Sequence, residues 1–320
     1  MVFNALMQER QTRREFLQHS ALAAAGLASA ALVPAVMGME PVARSGQPKL
    51  MLSLAAYSFR DYFKEGKGTG TKPVDPSKLI ELPRFIDYCA EQQCAAEVTA
   101  YYFPASVNAD YLLNLKRQAF LRGVPISGTA VGNTFTHPAG PRRDEQIKYV
   151  KQWIDRAAIL GAPHIRVFAG ELQQGSTKAE AKKFCIAALE ECCAYAGQKG
   201  VILGLENHGG IVGESADLLD IIKAVQSPWC GINLDTGNFR TDDPYRDLEL
   251  CAPYAVNVQF KAEIWPRGQE EKSPGDMKRV VRILRSAKYQ GFMALEYEAT
   301  EDAWTAVPRL LKEMRELIVA

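Results

Sequence analysis

Four apolar runs in the second half of the chain end directly in an acid or an amide. Val201-Ile202-Leu203-Gly204-Leu205 leads into Glu206-Asn207-His208-Gly209-Gly210, and Gly231-Ile232-Asn233-Leu234 leads into Asp235-Thr236-Gly237-Asn238. Ala255-Val256-Asn257-Val258 leads into Gln259 and Lys261, and Gly291-Phe292-Met293-Ala294-Leu295 leads into Glu296. An ionised carboxylate at the end of a buried strand is costly without a cation or a donor beside it. Three such carboxylates converging would repel one another, and a divalent cation resolves that repulsion. Side-chain oxygen ligation favours Mg2+ or Mn2+ over zinc.

The elements needed to bring these residues together are legible as alternation. Apolar β-type runs alternate with helical patterns about eight times, which calls for a parallel sheet with helix crossovers. The spacing predicts strands near 51–57, 95–100, 124–130, 163–168, 201–205, 230–234, 254–260 and 292–296. It predicts helices near 77–93, 108–122, 142–160, 177–198, 214–226, 245–251, 276–288 and 303–318. Eight of each close an α/β architecture of one (β/α)8 TIM barrel, whose chemistry sits at the C-terminal strand ends. A doubly wound sheet would want a G-x-G-x-x-G turn after its first strand, and none is present. The stretch Gly66-Lys67-Gly68-Thr69-Gly70-Thr71-Lys72 does not fit a phosphate loop, leads into Pro73 and Pro76, and reads as a mobile loop.

At these strand ends the sequence resembles the xylose isomerase-like TIM barrel family, which includes sugar isomerases and epimerases, sugar-phosphate isomerases and inosose dehydratases. The resemblance covers the chain after its amino-terminal segment, and its most specific pieces are Leu205–Gly210, Leu234–Asn238 and Ala294-Leu295-Glu296-Tyr297. It implies that Glu206, Asp235 and Glu296 are metal ligands, with the position of Gln259 holding the fourth. Many members carry His where Gln259 stands, so this chain departs from the commoner pattern; an amide oxygen is a harder and weaker ligand, further from zinc. The resemblance also implies a bound ion that chelates a carbonyl and an adjacent hydroxyl and stabilises an enediolate, with Glu206 and Glu296 as base and acid.

The substrate-binding candidates are His208, Arg166, His164 and Asn238. His208 lies two residues past Glu206 and reads as a substrate-hydroxyl contact ahead of a structural role. His164, Arg166 and Phe168 form a period-two set facing the barrel interior, where Arg166 binds an anionic or hydroxyl-rich substrate or else neutralises the acids. Lys261 shares the face of Gln259 and reads either as a catalytic group polarising the carbonyl or as a solvated rim lysine. His137 and Glu97 are given structural roles first, and the aromatics Tyr57, Phe59, Tyr101, Tyr102 and Phe103 suit a sugar ring's apolar face but are more often packing.

The amino terminus reads differently from the rest. Thr12-Arg13-Arg14-Glu15-Phe16-Leu17 precedes a charge-free apolar stretch, Ala21 to Met39, in the order of a twin-arginine export signal. The expected division is residues 1–45 as signal and linker and residues 46–320 as barrel, with cleavage after Ala35, Gly38 or Ala43 left open. Export through the twin-arginine machinery to the periplasm or cell surface follows, an uncleaved membrane-tethered form remaining an alternative. Seven cysteines form no CxxC or zinc spacing. Cys185, Leu189 and Cys193 share one helical stripe, so free buried thiols are expected.

Charge is balanced, with 38 Lys and Arg against 37 Asp and Glu, which excludes the basic footprint of a nucleic-acid binder. The three histidines beyond the signal, His137, His164 and His208, are too few for the multi-metal cluster of the DNA-repair endonucleases that share this barrel. The leading expectation is a metal-dependent sugar isomerase or epimerase. A lyase or dehydratase on a keto-sugar or inosose-like polyol is the nearest alternative, and a non-catalytic sugar-binding barrel a third class. The partner is a small-molecule carbohydrate; which sugar, whether phosphorylated, and whether the chain forms a homo-oligomer are left open.

Overall fold

The computed structural model describes residues 38–66 and 74–319. The expected signal falls largely on residues 1–37, which lie outside the described residues, as do residues 67–73 of the glycine-rich loop. Eight strands form a closed barrel: β1 (Lys49–Ala55), β2 (Ala95–Glu97), β3 (Ile126–Ala130), β4 (His164–Val167), β5 (Ile202–Glu206), β6 (Cys230–Asp235), β7 (Ala255–Phe260) and β8 (Gln290–Leu295). Every neighbouring pair is parallel, and β8 closes on β1 from Lys49↔Gln290 to Leu54↔Leu295. The fold is therefore the expected (β/α)8 barrel.

The helices that cover it are α1 (Leu82–Glu91), α2 (Ala109–Leu121), α3 (Pro141–Leu160), α4 (Lys178–Lys199), α5 (Ser215–Ala224), α6 (Pro244–Cys251), α7 (Met277–Ser286) and α8 (Ala303–Val319). Local chemistry sets their ends. Thr177 and Glu180 form a reciprocal capping box at the start of α4, and Gly161 and Gly200 end α3 and α4 at φ of 77° and 71°, a conformation that disfavours any residue with a Cβ. The helix expected from residue 77 starts at Leu82 instead. Pro83 sits in its first turn, where a missing N–H costs nothing, and a helix extended backward would drive the ring into the preceding turn.

Strand β2 stops at Glu97 rather than 100, although the Val98 N–H still donates to the Gly128 carbonyl at 3.0 Å before a 3-10 turn at Ala100–Tyr102. Strand β1 likewise ends at Ala55, leaving Tyr57 in a turn over the barrel mouth. All seven cysteines are free and buried, in keeping with the stripe on α4. Residues 38–48 pack on the barrel: the Val42 N–H donates to the Pro253 carbonyl at 3.0 Å, Arg44 bonds the same carbonyl and that of Ala255, and Gln290 Nε2 donates to the carbonyl of Gln47 at 2.9 Å. Among the described residues no helix is long and apolar enough to cross a membrane.

Candidate active site

The turn after β6 is a mould for one lysine. Asn207, just past β5, holds Asp235 by its backbone, donating from Nδ2 to the Asp235 carbonyl and accepting the Asp235 N–H at Oδ1, both at 2.9 Å. Asp235 Oδ1 accepts the Gly237 N–H at 2.8 Å, while its buried Oδ2 has no hydrogen bond. Thr236 Oγ1 accepts the backbone N–H of Lys261 at 2.9 Å. A Cβ on Gly237 would stand 2.7 Å from Lys261 Cβ, so only glycine lets the lysine stem lie across the turn. Lys261 is 6 % exposed, and its ammonium contacts Glu296, with Glu298 Oε2 at 2.8 Å and Asp235 Oδ2 at 3.4 Å. Of the two sequence readings of Lys261, the solvated rim lysine is therefore excluded, since the ammonium is a buried cation.

Glu206 has its own cation. Arg166 Nε lies 2.9 Å from Glu206 Oε2, both side chains are buried, and Asn238 Nδ2 donates to Glu206 Oε1 at 3.0 Å. Arg166 also donates to the Val131 carbonyl at 3.0 Å and lies 4.0 Å over the Phe168 ring, which in turn faces His208 at 4.3 Å. Strands β6 and β7 separate the two ion pairs, and amides link them. Asn233 Nδ2 lies 3.4 Å from Glu206 Oε2 and 2.6 Å from Gln259 Oε1, and Gln259 Nε2 donates to Glu296 Oε1 at 3.2 Å. From across the barrel Glu97 accepts from Gln259 at 3.0 Å and Asn257 at 3.1 Å, so it fixes the amides rather than reaching the mouth.

Burial raises the Glu206 carboxyl well above the ordinary value against the pull of Arg166, and lifts Asp235 to about 7 against that of Lys261. Glu298 is buried less deeply; desolvation is its largest single influence and raises it, but the charge and hydrogen bond of Lys261, with the charges of Arg60 and Lys272, together outweigh that and lower it. The lysine is held charged: burial works against it, but Asp235, Glu296, Glu298 and Glu206 together raise it well above its usual value.

The expected Mg2+ or Mn2+ site of Glu206, Asp235, Gln259 and Glu296 does not fit this arrangement. The Gln259 oxygen that would ligate an ion is committed to Asn233, and its NH2 faces Glu296 and Glu97. The Lys261 ammonium already stands between Asp235 and Glu296, and a divalent ion about 4 Å from it would be repelled by roughly 8 kcal/mol at an effective dielectric of about 20. Among the described residues, no three His, Cys, Asp or Glu side chains are placed to hold an ion.

The structure thus brings Glu206, Asp235, Gln259, Lys261, Glu296, Arg166 and Asn238 together at the C-terminal strand ends, with exposed His208 at the rim. His164 is not among them. It opens β4, two residues and therefore about 6–7 Å below Arg166 along the strand, with Nδ1 3.0 Å from the Ser127 carbonyl and its ring where a Cβ of Gly128 would stand. Its substrate-binding assignment is corrected to a buried interior role. Of the aromatics, Phe59, Tyr102 and Phe103 are packing, whereas half-buried Tyr57 and Tyr101 meet edge to face at 6.3 Å near the mouth. Sequence reasoning missed Glu298, Asn207, Asn233 and Thr236. The period-two sets Asn233–Asp235 and Asn257–Gln259–Lys261 carried the signal for an unusually polar barrel interior.

A small cleft open to solvent reaches Lys261 beside Asn238, Trp265 and Glu298. No curated protein matches the sequence. Solved structures similar to this chain include a xylose isomerase domain protein from Planctomyces limnophilus, at TM-score 0.61 and 16% identity over 87% of this chain and 99% of that one. The 3-keto-D-glucoside 4-epimerase of E. coli superposes at TM-score 0.62 and 16% identity, over 84% of this chain and 100% of that one. The IOLI protein, with a bound zinc atom, superposes at TM-score 0.64 and 16% identity, over 84% and 96%. These identities establish likeness of fold. The family model described as xylose isomerase-like TIM barrel matches residues 89–314, and the chain belongs to that family.

Proposed function

We propose that the protein is a carbohydrate isomerase or epimerase that moves a proton at the carbon next to a carbonyl through an enediolate. The observation that carries this reading is a pair of buried carboxylates at one barrel mouth, Glu206 and Glu296, each set against its own fixed cation and joined through Asn233 and Gln259. Stereochemical inversion or carbonyl migration needs one group to take a proton and another to return it, and two carboxylates in separate environments supply that pair. The C–H electron pair becomes the enediolate double bond, the proton passes to one glutamate, and the oxygen that gains charge faces a cation. In an epimerase the other glutamate delivers a proton to the opposite face of the same carbon; in an isomerase a proton goes to the former carbonyl carbon while the neighbouring hydroxyl's proton moves to the former carbonyl oxygen. Similarity of fold to a 3-keto-D-glucoside 4-epimerase supports this reaction class.

Incubation with ketoses, keto-glycosides and inososes in D2O tests the proposal. The expected result is deuterium at a carbon next to the carbonyl together with an isomeric product. A dehydrated product would move the protein to the lyases. Sugar binding without any exchange would make it a binding barrel.

A further inference from the structure

We infer that the Lys261 ammonium takes the place of a divalent ion, so that the enediolate oxygen forms against a lysine and the enzyme needs no metal. The inference rests on the proton-transfer reading above and names the electrophile of that site. Four observations on this chain converge on it.

The ammonium contacts three carboxylates, Asp235, Glu296 and Glu298, the kind of neighbourhood that a bound cation would otherwise balance. Its position is built rather than incidental, since the Thr236 hydroxyl takes its backbone N–H and Gly237 clears its stem. Gln259, where the family resemblance implies a fourth ligand, presents its NH2 to Glu296 and so acts as a donor to the acid. Asp235 Oδ2, a buried carboxylate oxygen with no hydrogen bond, lies 3.4 Å from the ammonium, so the lysine is the cation that balances it.

An ammonium carries three N–H donors and stays charged throughout, so it stabilises a developing oxyanion by hydrogen bonding in a site shielded from water. One of its donors must be released for substrate. Glu298 is the partner at the surface, 31 % exposed against 5 % for Glu296 and 0 % for Asp235, and it is the one a substrate oxygen displaces. The balance is simple: the substrate C–H bond breaks, its proton joins the Glu296 carboxylate, and the carbonyl oxygen becomes an enolate oxygen hydrogen-bonded to Lys261 Nζ. The proton then returns to carbon, with no oxidant or reductant consumed.

The test uses the full chain, chelated and dialysed, in two measurements. Mn2+ titration followed by electron paramagnetic resonance is expected to show no stoichiometric binding, and deuterium exchange with the sugar panel is expected to survive chelation undiminished. Lys261→Met, which keeps an unbranched stem one atom shorter and is confirmed folded by circular dichroism, is expected to lose exchange by roughly 10²- to 10³-fold. One Mn2+ bound per chain, or exchange that chelation abolishes and Mn2+ restores, overturns the inference. If no sugar exchanges in either form, the proton-transfer reading falls, and the titration still decides the lysine: a bound ion overturns its role as the site's cation, and none upholds it.

Discussion

Replacing Arg166 with Met is the sharpest probe of how the site is held together. Met keeps most of the arginine stem's packing but removes the charge 2.9 Å from Glu206 and the donor to the Val131 carbonyl. Breaking one side of a buried ion pair costs about 3–5 kcal/mol, because the remaining charge is left without a partner. At the lower end of the usual conversion, about 2 °C per kcal/mol for large domains, the melting temperature should fall by roughly 6–10 °C. Most of that loss belongs to the stranded carboxylate, so Arg166→Met in a Glu206→Gln background should cost far less. A double-mutant cycle by chemical denaturation at neutral pH is expected to give a coupling energy of about 2 kcal/mol or more. A coupling below roughly 0.5 kcal/mol, within the scatter of independent sites, would refute the argument that Arg166 exists to balance Glu206.

Burial holds the His164 imidazole down to about 4, below the value of 6.5 it regains on unfolding. The unfolded chain therefore takes the proton first, and the contribution of this residue, present above pH 6.5, is lost as pH falls toward 4, by up to about 3 kcal/mol. His164→Asn should flatten the fall in unfolding free energy over that window, and an unchanged pH dependence would count against it. Asn207→Leu strands the N–H and carbonyl of Asp235, and denaturation should show a loss of roughly 1–3 kcal/mol for each group. For the proposed twin-arginine export, replacing both Arg13 and Arg14 with Lys should leave the protein in the cytoplasm on fractionation, and unchanged export would exclude that route.

Much of this site was legible because a hydrophobic run that stops at an acid marks a strand end in a parallel barrel, and Glu206, Asp235 and Glu296 all do so. Period-two alternation also placed Arg166 and His164 on one interior face, but it carries no depth, and depth separates the arginine at the mouth from the histidine beneath it. The start of α1 was overrun because a helical pattern was read through Pro83. Lys261 stayed ambiguous for a different reason. Its environment is assembled from Asp235 and Thr236 at the end of β6, and from Glu296 and Glu298 after β8, which are remote in sequence and meet only when the barrel closes. The metal expectation followed from counting carboxylates and from the family pattern, and the residue that departed from that pattern, Gln259, was the warning: its amide serves here as a donor as well as an acceptor.

The central claim is that Glu206 and Glu296 move a proton on a sugar carbon, and the most direct test is the rate of deuterium incorporation from D2O by wild type, Glu296→Gln and Glu206→Gln. Each variant keeps the side-chain size but cannot carry the proton, so both should lose roughly 10²- to 10⁴-fold in exchange while remaining folded. Exchange at the wild-type rate by folded Glu296→Gln protein would contradict the two-glutamate account.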